Sequence, residues 1–389
     1  MIPGADFRAL TRSLFYDITS CEIKQLIRKM KKYPETRQSD MEVRRMETVL
    51  MYVMFAVGVV LIVKGGDWFV DGAVWVAEVT GIPKFIIGAT IVSLATTLPE
   101  IMVSTMAAVE GHQILVSGVG NYLAVSQGKV GMAIGNGIGS VICNTALIMS
   151  ISIIFVKMTV KRREFTPKAI CLLAAVVVLF ICSAGGFLSI GGAVCLLVVF
   201  ALFIFENIRS AKGEKTAAEA EQEKPDKETT GKHIAMIVLG VVCVVLGSRL
   251  LVNYGSEIAR SWGVSEAVIG VTMIAIGTSL PELVTAVTAV VKKQSSMSVG
   301  NVIGANIIDT TLIPAICAFV YGGKLPVSAQ NLYLDFPVAI LVALIASVPT
   351  IITKKFHKWQ GIVMLVLYLA YLVIVSTKLT WYLALWGIA

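Results

Sequence analysis

Charge is scarce in this sequence. Only 15% of the 389 residues are Asp, Glu, Lys or Arg, 56% are hydrophobic, and the mean hydropathy is +0.82. Soluble domains carry about a quarter of their residues as charges, so a soluble globular fold is excluded and a polytopic membrane protein is expected. Histidine is rarer still: His112, His233 and His357 fall at or beyond the ends of the apolar runs, which gives a histidine proton relay no support. The seven cysteines show no metal-type spacing. Six of them, Cys143, Cys171, Cys182, Cys195, Cys243 and Cys317, lie in apolar runs and read as small packing residues, not a disulfide or zinc framework. No nucleophile, metal-ligand pair or cofactor motif stands out, so neither an enzyme nor a cofactor is expected. The first apolar run begins near Val49 without the charged, apolar and small-residue pattern of a secretory signal ahead of it. A net charge of +8 would suit a nucleic-acid partner, but the basic residues sit mostly in loops flanking apolar runs, as membrane orientation requires. The lipid bilayer is the expected partner.

The apolar runs predict an all-α polytopic membrane protein with ten spans, at 49–78, 84–110, 131–156, 168–186, 188–207, 233–261, 267–291, 297–321, 333–353 and 359–377. Residues 1–48 read as a polar tail, either an amphipathic helix on the membrane, a poorly ordered segment, or sequence ahead of a translation start at Met46 or Met51. Residues 210–232 are rich in Lys, Glu, Ala and Thr, have no aromatic residue, and lack the Asp-x-Asp-x-Asp-Gly spacing of a calcium loop; they read as a solvated cytoplasmic linker. A first transmembrane repeat then covers 49–209, a second covers 233–377, and 378–389 is a C-terminal segment.

Two copies of one motif occupy the middle of apolar runs: Gly88 to Glu100, ending Ala95-Thr96-Thr97-Leu98-Pro99-Glu100, and Gly270 to Glu282, ending Gly277-Thr278-Ser279-Leu280-Pro281-Glu282. A carboxylate at membrane depth costs roughly 3 kcal/mol on insertion scales and marks a functional site. Each proline lacks the N–H that would bond the carbonyl four residues back, so the carbonyls of Ala95 and Gly277 are expected to be freed. Backbone oxygens, hydroxyls and a carboxylate together suit hard cations such as calcium and sodium. The copies belong to a longer repeat. Val57–Glu100 aligns with Leu239–Glu282 without a gap and with fifteen of forty-four positions identical, and Gly135–Ile148 matches Gly300–Ile313. Five spans per repeat, an odd number, force the second copy to enter from the opposite side, giving two inverted five-helix repeats of the kind found in secondary transporters. Loops after the odd-numbered spans, with the span ends beside them, hold seventeen Lys/Arg against four on the other face, which places those loops in the cytoplasm and both termini outside the cell membrane. The ten basic residues of the tail run against that orientation.

Four-residue spacing pairs Thr96 with Glu100, Thr278 with Glu282, Ser140 with Asn144, and Ala305 with Asp309 on shared helix faces. Converging, they would give a site three carboxylates and one amide, with no intramembrane Lys or Arg aligned to neutralise them. At these residues the sequence resembles the cation/calcium antiporter superfamily, specifically the prokaryotic type of sodium/calcium exchanger. The resemblance implies exchange of sodium for calcium by alternating access. It places calcium on Glu100 and Glu282 with the backbone oxygens of Thr96 and Thr278. Sodium sites fall on Ser93, Thr97, Ser140 and Asn144, and on Ala275, Ser279 and Asp309, with Ser93 and Ala275 acting through their carbonyls. Three departures bear on sodium: Ala95-Thr96-Thr97 in place of Gly-Thr-Ser, Val141 opposite Asn306, and Ala305 opposite Ser140. Residues 111–130 make the first repeat longer and read as a loop or an extracellular lid. Calcium/proton exchange, or exchange of another divalent cation, is the alternative; a cation channel fits an inverted repeat less well.

Overall fold

The structure, a computed structural model, describes residues 37–117, 122–156, 160–218, 227–262 and 275–376. Inter-residue contacts separate a small unit, Met1–Val53, from a large one, Met54–Ala389. In the small unit the described residues 37–53 are helical, the opening turns of α1 (Arg37–Thr80). The large unit is built almost wholly of helices, since in hydrocarbon a chain must satisfy its backbone within each segment. After α1 come α2 (Lys84–Thr96), α3 (Leu98–Ser117), α4 (Tyr122–Cys143, continuing through Asn144–Met149 to Phe155), α5 (Arg162–Ser183) and α6 (Ile190–Ala218). The second repeat supplies α7 (Lys227–Ser261), α8 (Ala275–Thr278), α9 (Leu280–Val291), α10 (Ser295–Tyr321), α11 (Asn331–Thr353) and α12 (Lys358–Ser376). A short antiparallel pair, β1 (Phe187–Leu188) on β2 (Leu325–Pro326), ties the loop after α5 to the loop after α10.

Among the described residues, eight helices are long and apolar enough to cross a membrane, and the bent pair α2 and α3 passes the same test when taken together as one span. The span expected at 267–291 is described only from Ala275 onward, as α8 and α9; residues 263–274, with Gly270 and Thr272, lie outside the described residues. Residues 1–36 and 377–389 do so as well.

Glycine contacts fix the relative direction of the repeats. A Cβ added to Gly58 would lie 3.1 Å from the Gly247 carbonyl, one on Gly65 2.9 Å from the Gly240 carbonyl, and one on Gly72 3.1 Å from the His233 carbonyl. As the number rises along α1 it falls along α7, so the two helices are antiparallel. Gly58 is the sequence equivalent of Gly240 and Gly65 of Gly247, so each position meets the equivalent of the other, as two-fold related elements do. The repeats are therefore inverted. Helix α2, in contrast, runs parallel to α10: Cβ atoms on Gly300 and Gly304 would sit 2.1 Å and 2.4 Å from the carbonyl oxygens of Phe85 and Ala89. The backbones touch, and no side chain can be inserted between them. Gly300→Ala is expected to cost about 1–3 kcal/mol through overpacking, to be read as a lower apparent Tm of the purified protein.

The polar segments carry more helix than the sequence suggests. The 111–130 insertion, expected as a loop or lid, is helical in its described residues, since α3 runs to Ser117 and α4 starts at Tyr122, with 118–121 outside them; Ile114, Leu115 and Val116 extend the apolar run despite the flanking glycines. In the 210–232 linker, α6 continues to Ala218 and α7 starts at Lys227, because Ala, Lys and Glu are strong helix formers. The tail is helical from Arg37, twelve residues before the predicted start of the first span.

Candidate cation site

Each Pro-Glu motif sits just past a break in its helix. The first break is at Thr97, where α2 and α3 meet at a 45° bend; the second is at Ser279, with φ −88° and ψ 6°, between α8 and α9. Thr96 and Glu100 therefore stand on either side of a bend and not along one continuous helix face. Glu100 and Glu282 fall in the first turns of α3 and α9, where the helix dipole favours negative charge. The partner motifs are distorted too. Asn144 opens a π turn, Asn144–Met149, and Asp309 lies in the equivalent π turn, Ile308–Leu312. A π turn holds an extra residue and rotates the succeeding part of the helix by about 100°, so both copies re-aim their side chains at this depth.

The two repeats meet through these residues. The Thr97 hydroxyl lies 2.7 Å from the Ser93 carbonyl and 3.2 Å from Glu282 Oε1, and donates to one of them. Ser279 Oγ donates to Ser140 Oγ at 3.3 Å. The Thr96 hydroxyl is 3.2 Å from the Ser93 carbonyl and 3.4 Å from Asn301 Oδ1. Phe69 of α1 and Val241 and Val244 of α7 pack over Ala95, Thr96, Pro281 and Thr285, with no room for a water molecule between them. Ser93, Thr96, Thr97, Glu100, Ser140, Asn144, Ser279, Glu282 and Asp309 are all buried, whereas Thr278 is half-buried. Ala275 opens α8 at the edge of the described residues.

What these groups lack is as informative. Both carboxylate oxygens of Glu100, both of Asp309, Glu282 Oε2 and both amide atoms of Asn144 are buried with no hydrogen-bond partner. Among the described residues no salt bridge reaches any of the three carboxylates. An ionised carboxylate taken out of water without a partner costs several kcal/mol, and a bound cation would supply the missing counter-charge. Glu100 lies within Coulombic range of Glu282 and Asp309, yet no group of three or more His, Cys, Asp or Glu among the described residues is close enough to grip one metal ion. Hydroxyls, Asn144 and backbone oxygens would have to complete each coordination shell, the mixed oxygen set that calcium and sodium accept.

Sequence reasoning missed the asparagines that brace the site. Asn301 Nδ2 donates to Thr285 Oγ1 at 3.0 Å, Asn136 Nδ2 to Ser104 Oγ at 3.0 Å, and Asn306 Nδ2 to Thr145 Oγ1 at 2.7 Å. The repeated Gly-Asn pairs at 135–136 and 300–301 were the available signal. Asp335 was missed as well. It is buried at the start of α11, where Asn331 Nδ2 donates to it at 2.8 Å and the Tyr371 hydroxyl at 3.1 Å. Its oxygens are satisfied by protein donors, which sets it apart from Glu100 and Asp309.

Comparison with known proteins bears on the family and the fold. A family model described as sodium/calcium exchanger protein matches residues 50–208 and 232–377. The sodium/calcium exchanger MaX1 of Methanosarcina acetivorans is 27% identical over 360 residues, 83% of this chain and 97% of its own. The inner membrane protein YrbG of Escherichia coli is 31% identical over 307 residues, 76% of this chain and 87% of its own. Among solved structures, the sodium-calcium exchanger NCX_Mj soaked with sodium and strontium superposes with a TM-score of 0.69 at 28% identity, covering 84% of this chain and 98% of that one. With the family matched along both repeats, the chain belongs to the sodium/calcium exchanger family.

Proposed function

We propose that this chain exchanges calcium for sodium across the cell membrane by alternating access. Glu100 and Glu282 supply the charge that holds calcium, with backbone oxygens at Thr96 and Thr278. Sodium binds on either side, at Ser93, Thr97, Ser140 and Asn144, and at Ala275, Ser279 and Asp309. Both termini face outside. One observation carries the reading: buried, unpartnered carboxylate oxygens on Glu100 and Asp309, in a layer where the motifs of two inverted repeats meet. Members of the family named as sodium/calcium exchangers support the choice of ions. The test is calcium uptake by proteoliposomes loaded with sodium, against potassium-loaded, choline-loaded and pH-jumped controls. Uptake in the sodium-loaded vesicles alone supports the reading; uptake driven by pH alone overturns it.

Calcium/proton exchange remains the second reading because one sodium position has lost an oxygen. Ala305, fully buried one turn before Asp309, stands where the first repeat has Ser140. A neutral hydrogen-bond-strength ligand is worth about 0.5–1.5 kcal/mol, and about 1.4 kcal/mol is tenfold in affinity. Ala305→Ser is therefore expected to lower the sodium concentration for half-maximal exchange by a few-fold, and Ser140→Ala to raise it. Unchanged sodium dependence in both variants, with flux intact, would favour the proton.

A further inference from the structure

Helix α9 carries Glu282 on one face and turns another toward α1. A Cβ on Gly66 would lie 2.8 Å from Val284 Cγ1 and 3.1 Å from Thr288 Oγ1. One turn beyond Thr288, Lys292 Nζ reaches Asp71 Oδ1 at 2.6 Å, Asp67 Oδ1 at 3.4 Å and the Asp67 carbonyl at 3.2 Å. This bridge joins α1 to the end of α9 on the face that the loop charges make cytoplasmic. The repeat alignment places equivalents on the other face. Asp67 corresponds to Arg249 on α7 and Lys292 to Glu110 on α3, so these two charges are reversed, while Asp71 corresponds to the neutral Asn253. A second cytoplasmic pair, Lys84 with Glu78 at 3.2 Å, is likewise matched in sequence by Glu266 and Arg260. Excess positive charge on the cytoplasmic side accounts for Lys292 but not for Arg249, which lies in the outer half of α7 and runs against that trend. The two faces also differ in cover: Thr288 is half-buried against α1, whereas its equivalent Met106 on α3 is 46% exposed.

We propose that Lys292, Asp67 and Asp71 form a charge clamp that holds the cytoplasmic side of the cation site closed, and that Arg249 and Glu110 form its counterpart of opposite polarity when the outer side closes. It rests on the alternating-access part of the proposed function. The clamp is a positioning device that touches no ion. It biases which side opens, and because its groups are partly exposed, its loss shifts that balance modestly.

The test is labelling by a membrane-impermeant thiol reagent, which needs neither ion gradient nor exchange. Cysteines are placed singly by Thr288→Cys and Met106→Cys, and rates are taken above those of the parent protein. Lys292→Ala is expected to raise cytoplasmic labelling at 288 and lower external labelling at 106, each by about two- to fivefold. The charge-exchanged variant, Lys292→Asp with Asp67→Lys, is expected to bring both rates back toward the parent's. The double variant Glu110→Cys with Arg249→Cys should link through a short bismaleimide, more completely when Lys292→Ala is added. Unchanged labelling at 288, or a rise at both positions together, overturns the clamp, and absence of the link in both backgrounds overturns its outer half. Failed sodium-driven exchange with the labelling shifts intact would instead contradict the calcium/sodium reading and leave the clamp standing.

Discussion

Glu100→Gln and Glu282→Gln are each expected to abolish calcium exchange, by at least about a hundredfold in initial rate, while leaving a protein that inserts and purifies like the parent. The change is nearly isosteric and removes a buried, poorly partnered charge, so the empty protein does not suffer; it is expected to gain stability. Calcium does suffer, because the dehydrated dication depends on charged oxygens. The two sites differ in detail. Glu282 Oε1 lies 3.2 Å from the Thr97 hydroxyl, whereas neither oxygen of Glu100 has a partner. The gain in ion-free stability should therefore be larger for Glu100→Gln. Near-parental flux in either variant would remove that residue from the calcium site.

Ions themselves are expected to stabilise the protein strongly. Buried carboxylates without counter-charge on Glu100, Glu282 and Asp309 repel one another and are poorly solvated in the ion-free state, and a ligand that binds only the folded protein adds RT ln(1 + [L]/Kd). At a hundredfold excess over Kd this is about 2.7 kcal/mol, on the order of 5 °C in apparent Tm. Purified protein stripped with chelator in sodium-free buffer should unfold at the lower temperature, and calcium or sodium should restore the higher one. Glu282→Gln should lose most of the calcium response and part of the sodium response. A Tm indifferent to both ions in the parent protein would mean that the unpartnered oxygens are not a cation site.

The repeat and its inversion were legible in the sequence because they rest on counting: a gapless match from Val57 to Glu100 and an odd number of spans. The glycine contacts between α1 and α7 are a consequence, since Gly58 and Gly65 are identical in both copies, although which glycine faces which needed three dimensions. The position of the candidate site was readable for a similar reason. A proline followed by a carboxylate in an apolar run has few structural explanations, and it occurs twice in register. Geometry was less legible. The π turns at Asn144 and Asp309 leave no local mark, because an extra residue in a helix is set by packing against its neighbours, so simple four-residue spacing describes the faces imperfectly. Asn301 and Asn136 were visible as repeated letters, but a bracing role depends on what lies across the interface. Residues 111–130 misled because glycine signals a break, while the apolar residues around Ile114 to Val116 carry the helix through most of the segment. Asp335 escaped notice at the edge of a predicted span, where an acidic residue ordinarily meets water.

The central claim is that two inverted motifs build one shared cation site, and equilibrium calcium binding to the purified protein tests it most directly. The account predicts saturable calcium binding that sodium displaces, and that is lost when either Glu100 or Glu282 is changed to Gln. Calcium binding that survives both substitutions, or that protons displace and sodium does not, would contradict it.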